Sequence, residues 1–277
     1  MVGMKAVITC GGSGVRLLPF TKEMPKEMAP IFWKQNGTIQ VKPLLELIFE
    51  QLYEYGVRDF CFITGRTKRA IENHFTPDSE LKQQASMKSF FNYLQSSKIF
   101  WTTQFDQKGF GDAVKYASSF VGLDNFIVQA GDVAIINSKD NNPIQRLIDL
   151  SQKSKVDAVL LVRKVTDPER HGIVTVQEGD NNLLKITKAV EKPDKPETDL
   201  GIMPIYLFNP LIFPALEKTQ PGKNNEIQLT DAIQKLIESG KDIRAIRVDE
   251  EKFLDVGVPD SYWKALTDSH HYMEEKL

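Results

Sequence analysis

The sequence predicts an α/β fold: a Rossmann-like mixed, mostly parallel sheet with helices on both faces and a β-rich sub-region in the second half. Three observations predict it. Through about residue 156, short β-rich runs alternate with runs of helical period, the pattern of strands covered by crossover helices. From residue 157 the runs become mostly strand-like, with short turns between them. A glycine-rich stretch, CGGSGVRLLPFTKEMPKEMAP at residues 10–30, directly follows the first apolar run. In open α/β sheets, ligands bind beyond the carboxyl ends of strands.

Taken in order, AVIT (6–9) is the first strand. KPLLELIFEQLYEYG (42–56) places Leu44, Leu45, Ile48, Leu52 and Tyr55 on one helical stripe, and Gly56 ends it. DFCFIT (59–64) is a continuous apolar strand. TKRAIENHF (67–75) and SELKQQASMKSFFNYL (79–94) read as helices, IFWTTQ (99–104) as a strand, GDAVKYASSF (111–120) as a helix and NFIVQA (125–130) as a strand. NPIQRLIDLSQKS (142–154) is a helix. DAVLLVRKV (157–165), HGIVTVQ (171–177) and LLKITKAVEKP (183–193) are strand-like, and the turn EGDNN (178–182) reads as a hairpin connection. DLGIMPIYLF (199–208) is strand-like, and the longest uncharged run, LGIMPIYLFNPLIFPAL (200–216), approaches the lower limit of a membrane span. Pro204, Asn209, Pro210 and Pro214 interrupt the run, so it reads as a strand followed by a short helix. EIQLTDAIQKLIESG (226–240) is helical, IRAIRV (243–248) and FLDVG (253–257) are strands, and PDSYWKALTDSHHYMEEK (259–276) is a closing helix. No repeat and no Gly/Ser linker divides the chain, so one domain spans 1–277, with 1–156 and 157–277 as its two halves.

Composition narrows the function classes. The 277 residues carry a net charge of −2, with 41% hydrophobic and 26% charged residues, as in an ordinary globular protein. No global field draws the chain to nucleic acid or membrane, so any anion site is a local cluster. The N-terminal MVGMKAVITC lacks the long apolar segment of a leader and reads as the start of a cytoplasmic protein. Cys10 and Cys61 sit in apolar runs without metal spacing and read as buried reduced thiols. The basic TGRTKRA (64–70) reads as a loop and a solvated helix face, and His74 and His171 as structural residues.

The loop of residues 10–30 fits three phosphate-binding patterns unequally. A Walker loop needs Gly-Lys-Ser/Thr where this chain has Gly14-Val15-Arg16. The dinucleotide fingerprint needs a third glycine where Leu17 stands, and Pro19 and Pro25 bar a long helix. The third pattern, G-x-G-x-R-(x)2-P-(x)5-P-K, is met by Gly12, Gly14, Arg16, Pro19, Pro25 and Lys26. Glycine lets backbone N–H groups approach a triphosphate without a Cβ in the way. Arg16 offers a forked donor and Lys26 a point charge.

With ITGRTKRAIENHF, QKGFGDAV, QAGDV, VEKP, EIQLTDAI and LDVG following in order, the chain resembles the sugar-1-phosphate nucleotidyltransferase family. Within it, the resemblance is to the UTP–glucose-1-phosphate uridylyltransferases (UDP-glucose pyrophosphorylases) of bacterial and archaeal type. It implies the nucleotide-diphospho-sugar transferase fold and the reaction of UTP with glucose 1-phosphate to give UDP-glucose and pyrophosphate. It also implies Mg²⁺ as cofactor and a homo-oligomer, dimer or tetramer, with no nucleic-acid or membrane partner.

Position by position, the resemblance puts Gly11, Gly12 and Gly14 against the nucleotide and Arg16 and Lys26 on its triphosphate. Gln104 becomes the uracil reader, since an amide can both donate and accept, and Gly109 lets the base lie close. Asp132 and Asp255, each after an apolar strand, become the Mg²⁺ ligands. Gly172, Glu191 and Lys192 take the sugar-phosphate side, with Lys192 on the hexose phosphate. Glu226 and Asp231 read as capping and surface residues. Two departures stand out: Val15 where the family has threonine, and Pro204 where it has a glycine on the sugar side. Three alternatives stay open. A thymidylyltransferase using dTTP would share the Gly-Gly-Ser-Gly loop, a non-catalytic regulatory protein could keep the fold, and a nicotinamide dehydrogenase is disfavoured by Leu17.

Overall fold

The computed structural model describes residues 4–274 apart from 36, 79, 137–141, 154, 179–182, 250 and 251. In chain order the strands are β1 (Lys5–Cys10), β2 (Pro30–Gln35), β3 (Thr38–Pro43), β4 (Asp59–Thr64), β5 (Lys98–Thr103), β6 (Phe126–Ala130), β7 (Val133–Ile136), β8 (Ala158–Lys164), β9 (Gly172–Gln177), β10 (Leu183–Glu191), β11 (Leu200–Phe208), β12 (Ile243–Arg247) and β13 (Lys252–Asp255). The helices are α1 (Leu44–Glu54), α2 (Arg69–His74), α3 (Lys88–Gln95), α4 (Phe110–Lys115), α5 (Ser118–Val121), α6 (Pro143–Lys153), α7 (Ile212–Glu217), α8 (Leu229–Glu238) and α9 (Pro259–Glu274).

A nine-stranded sheet runs in the order β5-β4-β1-β6-β11-β8-β12-β10-β9. β5, β4, β1 and β6 are mutually parallel, and β8 is parallel to β12, while β11 and β10 run against their neighbours. The sheet is therefore mixed, as the sequence predicts, and β6 from the first half lies beside β11 from the second. β9 folds back to pair with β11 through Gly201 and Ile173, which closes the β-rich sub-region on itself. Alternation along each strand divides the core in two. Ala6 and Ile8 face α1, α3, α6 and α9, whereas Val7 faces α4, α5, α7 and α8. Burial on both faces explains why β1 and β4 read as unbroken apolar runs.

Two predicted helices are broken. In 79–94 a short 3-10 turn at Leu81–Gln83 precedes α3, with Asp78 Oδ1 accepting from the Glu80 and Leu81 N–H groups at 2.8 and 3.3 Å. In 111–120, α4 and α5 are separate pieces joined at Tyr116–Ala117. Two further features are not legible in the sequence pattern: the β2–β3 hairpin, and β7, which pairs with β13. The EGDNN turn lies, but for Glu178, outside the described residues. Pro204 sits where the β11–β8 register slips between Met203 and Tyr206, the sort of irregularity that accommodates proline inside a sheet. Among the described residues no helix is long and apolar enough to cross a membrane.

Candidate active site

The glycine-rich loop leaves the carboxyl end of β1 and does not continue into a helix. Three one-turn 3-10 helices, Val15–Leu17, Phe20–Lys22 and Lys26–Met28, carry it on to β2. Gly14 opens the first at φ 69, a left-handed conformation natural to glycine, and the Thr21 hydroxyl donates to its carbonyl at 2.7 Å. Lys26 reaches back over the loop. Its ammonium lies 3.7 Å from where a Gly12 Cβ would stand and is bonded to Asp132 Oδ2.

Asp132 follows β6, and the β7–β13 pairing brings Asp255 alongside it, since Asp255 sits opposite Val133. The Val256 N–H donates to the Asp132 carbonyl at 3.1 Å, and the Gly257 N–H donates to Asp255 Oδ1 at 2.6 Å. Around the missing side chain of Gly257, Asp255 Oδ1, Arg16 Nη2 and Asp132 Oδ2 converge at 2.9, 3.5 and 3.8 Å. Burial, reinforced by the charge of Asp132, raises the Asp255 pKa. Burial works against the Lys26 charge, but Asp132 and Glu27 outweigh it and raise its pKa. Two carboxylates facing two cations beside open glycine backbone suit a polyanion bound with a hard divalent cation. Among the described residues no set of three or more His, Cys, Asp or Glu converges as a metal site. Such a cation would thus take two protein carboxylates and fill its shell from phosphate and water.

A second group lies along the same loop. Gln104, at the end of β5, is buried, with Oε1 2.9 Å from the position of a Gly11 Cβ. Its Nε2 donates to Asp112 Oδ2 at 2.8 Å and to the Gly109 carbonyl at 3.2 Å. Gln107 Nε2 donates to the Gly11 carbonyl at 2.8 Å. Gly109, at φ 108, is glycine for a reason of the protein's own: a Cβ there would meet the Ile227 carbonyl oxygen at 2.7 Å. The chain before α8 is hydrogen-bonded to the chain entering α4 at that point, Ile227 N–H to Lys108 O at 2.7 Å and Gly111 N–H to Ile227 O at 2.9 Å.

The third group gathers at the start of β9 and the end of β10. Glu191 Oε2 accepts from the Thr230 hydroxyl at 2.6 Å, and Glu191 Oε1 pairs with Lys192 Nζ at 3.2 Å. Gly172 makes room for this, because a Cβ there would lie 2.6 Å from Thr230 Oγ1 and 3.0 Å from Glu191 Oε2. Lys192 holds φ 44, an unfavourable angle for a side-chain-bearing residue, and its N–H donates to the His171 carbonyl at 2.9 Å. Local strain of this kind recurs at functional sites. The Gly201–Ile173 pairing brings this group to the sheet edge where β6 and β8 end.

Several residues that contact these groups are not legible as such in the sequence. Lys68 does not lie on a solvated face: it is buried, and its Nζ sits 2.8 Å from Glu27 Oε2, which is also buried. Burial raises the Glu27 pKa against the pull of Lys68 and Lys26. The order Lys68, Glu27, Lys26, Asp132 is thus a chain of alternating charge ending at the carboxylate pair. Gln107, Asp112 and Thr230 were likewise not singled out. The QKGFGD and LTD segments offered their polar residues as the signal, but only the fold shows their partners. His74 pairs with Glu46 at 2.8 Å and His171 with Asp167 at 3.2 Å, and both cysteines are buried and free.

The fold and this site define a transferase of nucleotidyl groups, and the chain belongs to the nucleotidyl transferase family, whose model it matches over residues 5–271. The particular relatives are consistent in kind. A UTP–glucose-1-phosphate uridylyltransferase of Bacillus subtilis is 36% identical over 245 residues, 84% of this chain and 80% of the relative. One from Staphylococcus saprophyticus is 37% identical over 243 residues, 84% of this chain and 81% of the relative. Among solved structures, a UDP-glucose pyrophosphorylase complexed with UDP-glucose aligns with TM-score 0.86 at 28% identity, over 99% of this chain and all of that one. A UTP-bound enzyme of the same name from Acinetobacter baumannii aligns at 0.79 and 29%, over 98% and 93%.

Proposed function

We infer that the chain transfers a uridylyl group, making UDP-glucose and pyrophosphate from UTP and glucose 1-phosphate. The observation that carries this is the convergence of Arg16, Lys26, Asp132 and Asp255 at the end of a glycine loop, in a chain with uridylyltransferase relatives at 36–37% identity. A structural neighbour described as a thymidylyltransferase is only 24% identical, which speaks for the shared fold and not for dTTP.

In this reading a phosphate oxygen of the sugar phosphate attacks the α-phosphorus of UTP in line, and pyrophosphate leaves. The nucleophile is already an anion, so no general base is required. The enzyme's work is to align two polyanions and offset their repulsion. Gly11, Gly12 and Gly14 offer backbone to the nucleotide, and Arg16 and Lys26 hold its phosphates. Gln104 faces the base, while Gly109 keeps Gln104 and α4 in place. Glu191, which Gly172 lets pack against Thr230, accepts from sugar hydroxyls, and Lys192 pairs with the hexose phosphate. Magnesium held by Asp132 and Asp255 would neutralise charge at the reacting phosphates. The donor set of two carboxylates suits it. Lys26, which pairs with Asp132, is placed beside Gly12 where it can reach the phosphates of the nucleotide.

We extend the reading to one domain over 1–277, supported by the sheet that runs through both halves, with nucleotide on the first half and sugar phosphate on the second. Two free, buried thiols accord with a cytoplasmic protein. The expectation of a homo-oligomer rests on the resemblance.

The test is pyrophosphate release with Mg²⁺ and glucose 1-phosphate, comparing UTP with dTTP, ATP, CTP and GTP. Release with UTP well above the others is expected. A preference for dTTP overturns the uridylyl assignment, and silence with every nucleotide overturns the enzyme.

A further inference from the structure

We infer that Asp112 sets which way the Gln104 amide faces, and so makes the base site select a ring N–H over a bare ring nitrogen. The inference rests on the reading that Gln104 meets the nucleobase.

The geometry allows one orientation. The Gln104 side chain is buried, and its two amide hydrogens have two acceptors, Asp112 Oδ2 at 2.8 Å and the Gly109 carbonyl at 3.2 Å. Neither partner can donate in return, because a carboxylate and a backbone carbonyl only accept. Turning the amide over would set Oε1 against two oxygens and strand both N–H groups. Asp112 is itself fixed: it is buried, and its other oxygen lies 3.2 Å from Lys115 Nζ. Among the described residues nothing donates to Gln104 Oε1, which faces the first loop beside Gly11. A base entering between Gly11 and Gln104 therefore meets a fixed acceptor.

Uracil presents N3–H on that edge, and cytosine presents N3 as a lone pair. Cytosine in the same pose sets acceptor against acceptor in a buried place, the arrangement by which sites reject a close analogue most strongly. Thymine shares the N3–H of uracil, so Asp112 separates UTP and dTTP from CTP, not from each other. Asp112 is a positioning residue that acts through Gln104.

The test is the ratio of kcat/KM for UTP over CTP in three proteins. Asp112→Asn replaces an acceptor by a group that can also donate, which frees the Gln104 amide to rotate. The expected result is a fall in the ratio of about 10-fold or more, with UTP losing and CTP gaining. Asp112→Ala, which removes the partner altogether, should also lower the ratio and serves if Asp112→Asn folds poorly. A purely structural role would lower both substrates in proportion and leave the ratio unchanged. Gln104→Ala separates the two levels of inference. If it lowers the ratio while both Asp112 variants do not, the role of Asp112 is overturned and the base reading stands. If none of the three variants changes the ratio, Gln104 does not read the base and both ideas go together.

Discussion

In the proposed reaction Asp132 is the residue on which the chemistry turns, because it meets both the Lys26 ammonium and the space shared with Asp255 and Arg16. Asp132→Asn keeps the shape of the side chain and removes its charge. Turnover should fall by about 10²-fold or more, with an unchanged far-UV circular dichroism spectrum. Near-normal turnover at ordinary Mg²⁺ would sink the metal assignment. Lys26 and Asp132 were legible as single residues, since each belongs to a short motif. Glu27, next to Lys26 in the loop motif, and Lys68, in ITGRTKRAIENHF, were not. Their meaning comes from each other, across 41 positions and between two loops. A lysine in a basic stretch reads as solvated until its partner is located.

At the scale of the element, the Lys26–Met28 turn is too short to hold its own shape. Glu27 ties it to Lys68, at the entrance of α2. Removing one partner would leave a buried charge, at a cost of roughly 3–5 kcal/mol. Glu27→Leu combined with Lys68→Met removes both charges and keeps the volume. That double variant should melt close to the parent yet lose about 10-fold in kcat, because the charge behind Lys26 is gone. Parental kcat in the double variant would show that the pair merely packs.

Helix α1 carries a pH effect away from the site. Burial lifts Glu50 to about 7, against the pull of Lys42 at 2.5 Å and with the push of Glu46; Glu54 adds to the push. Lys42 also serves Glu46 at 3.0 Å, which His74 holds from the other side at 2.8 Å. Between about 4.5 and about 7 the folded chain keeps a proton that the unfolded chain has lost. Stability contributed by that proton is therefore present at low pH and is lost as pH rises through this window. Glu50→Gln should flatten the loss, so its melting temperature relative to the parent should improve from pH 5 to pH 7.5. A constant difference between the two melts would contradict the assignment. The α1 stripe was plain in the sequence, whereas the charges beneath it were not, since a helical pattern reports which face is apolar and not what a buried carboxylate meets.

Across the whole molecule, stability and chemistry are carried by different parts. Two apolar clusters on opposite faces of one sheet hold the fold, while the carboxylate pair lies beyond the carboxyl end of β6, where β7 pairs with β13. Chelating divalent metal should therefore stop pyrophosphate release and leave the melting temperature within about 2 °C, with activity restored by added Mg²⁺. A large fall in melting temperature would mean that the cation is structural. By itself the sequence determined the α/β class and the strand that launches the glycine-rich loop, and it set Gly12, Arg16, Lys26, Asp132 and Asp255 within short motifs. These are local properties, since apolar period and loop chemistry are written within a few residues. The tertiary structure alone decided that β13 lies against β7 so that Asp255 meets Asp132, that β9 returns to β11, and that Asp112 faces Gln104. Each is a pairing between distant segments, settled by which buried groups satisfy one another once the sheet has formed, and no single segment contains that information.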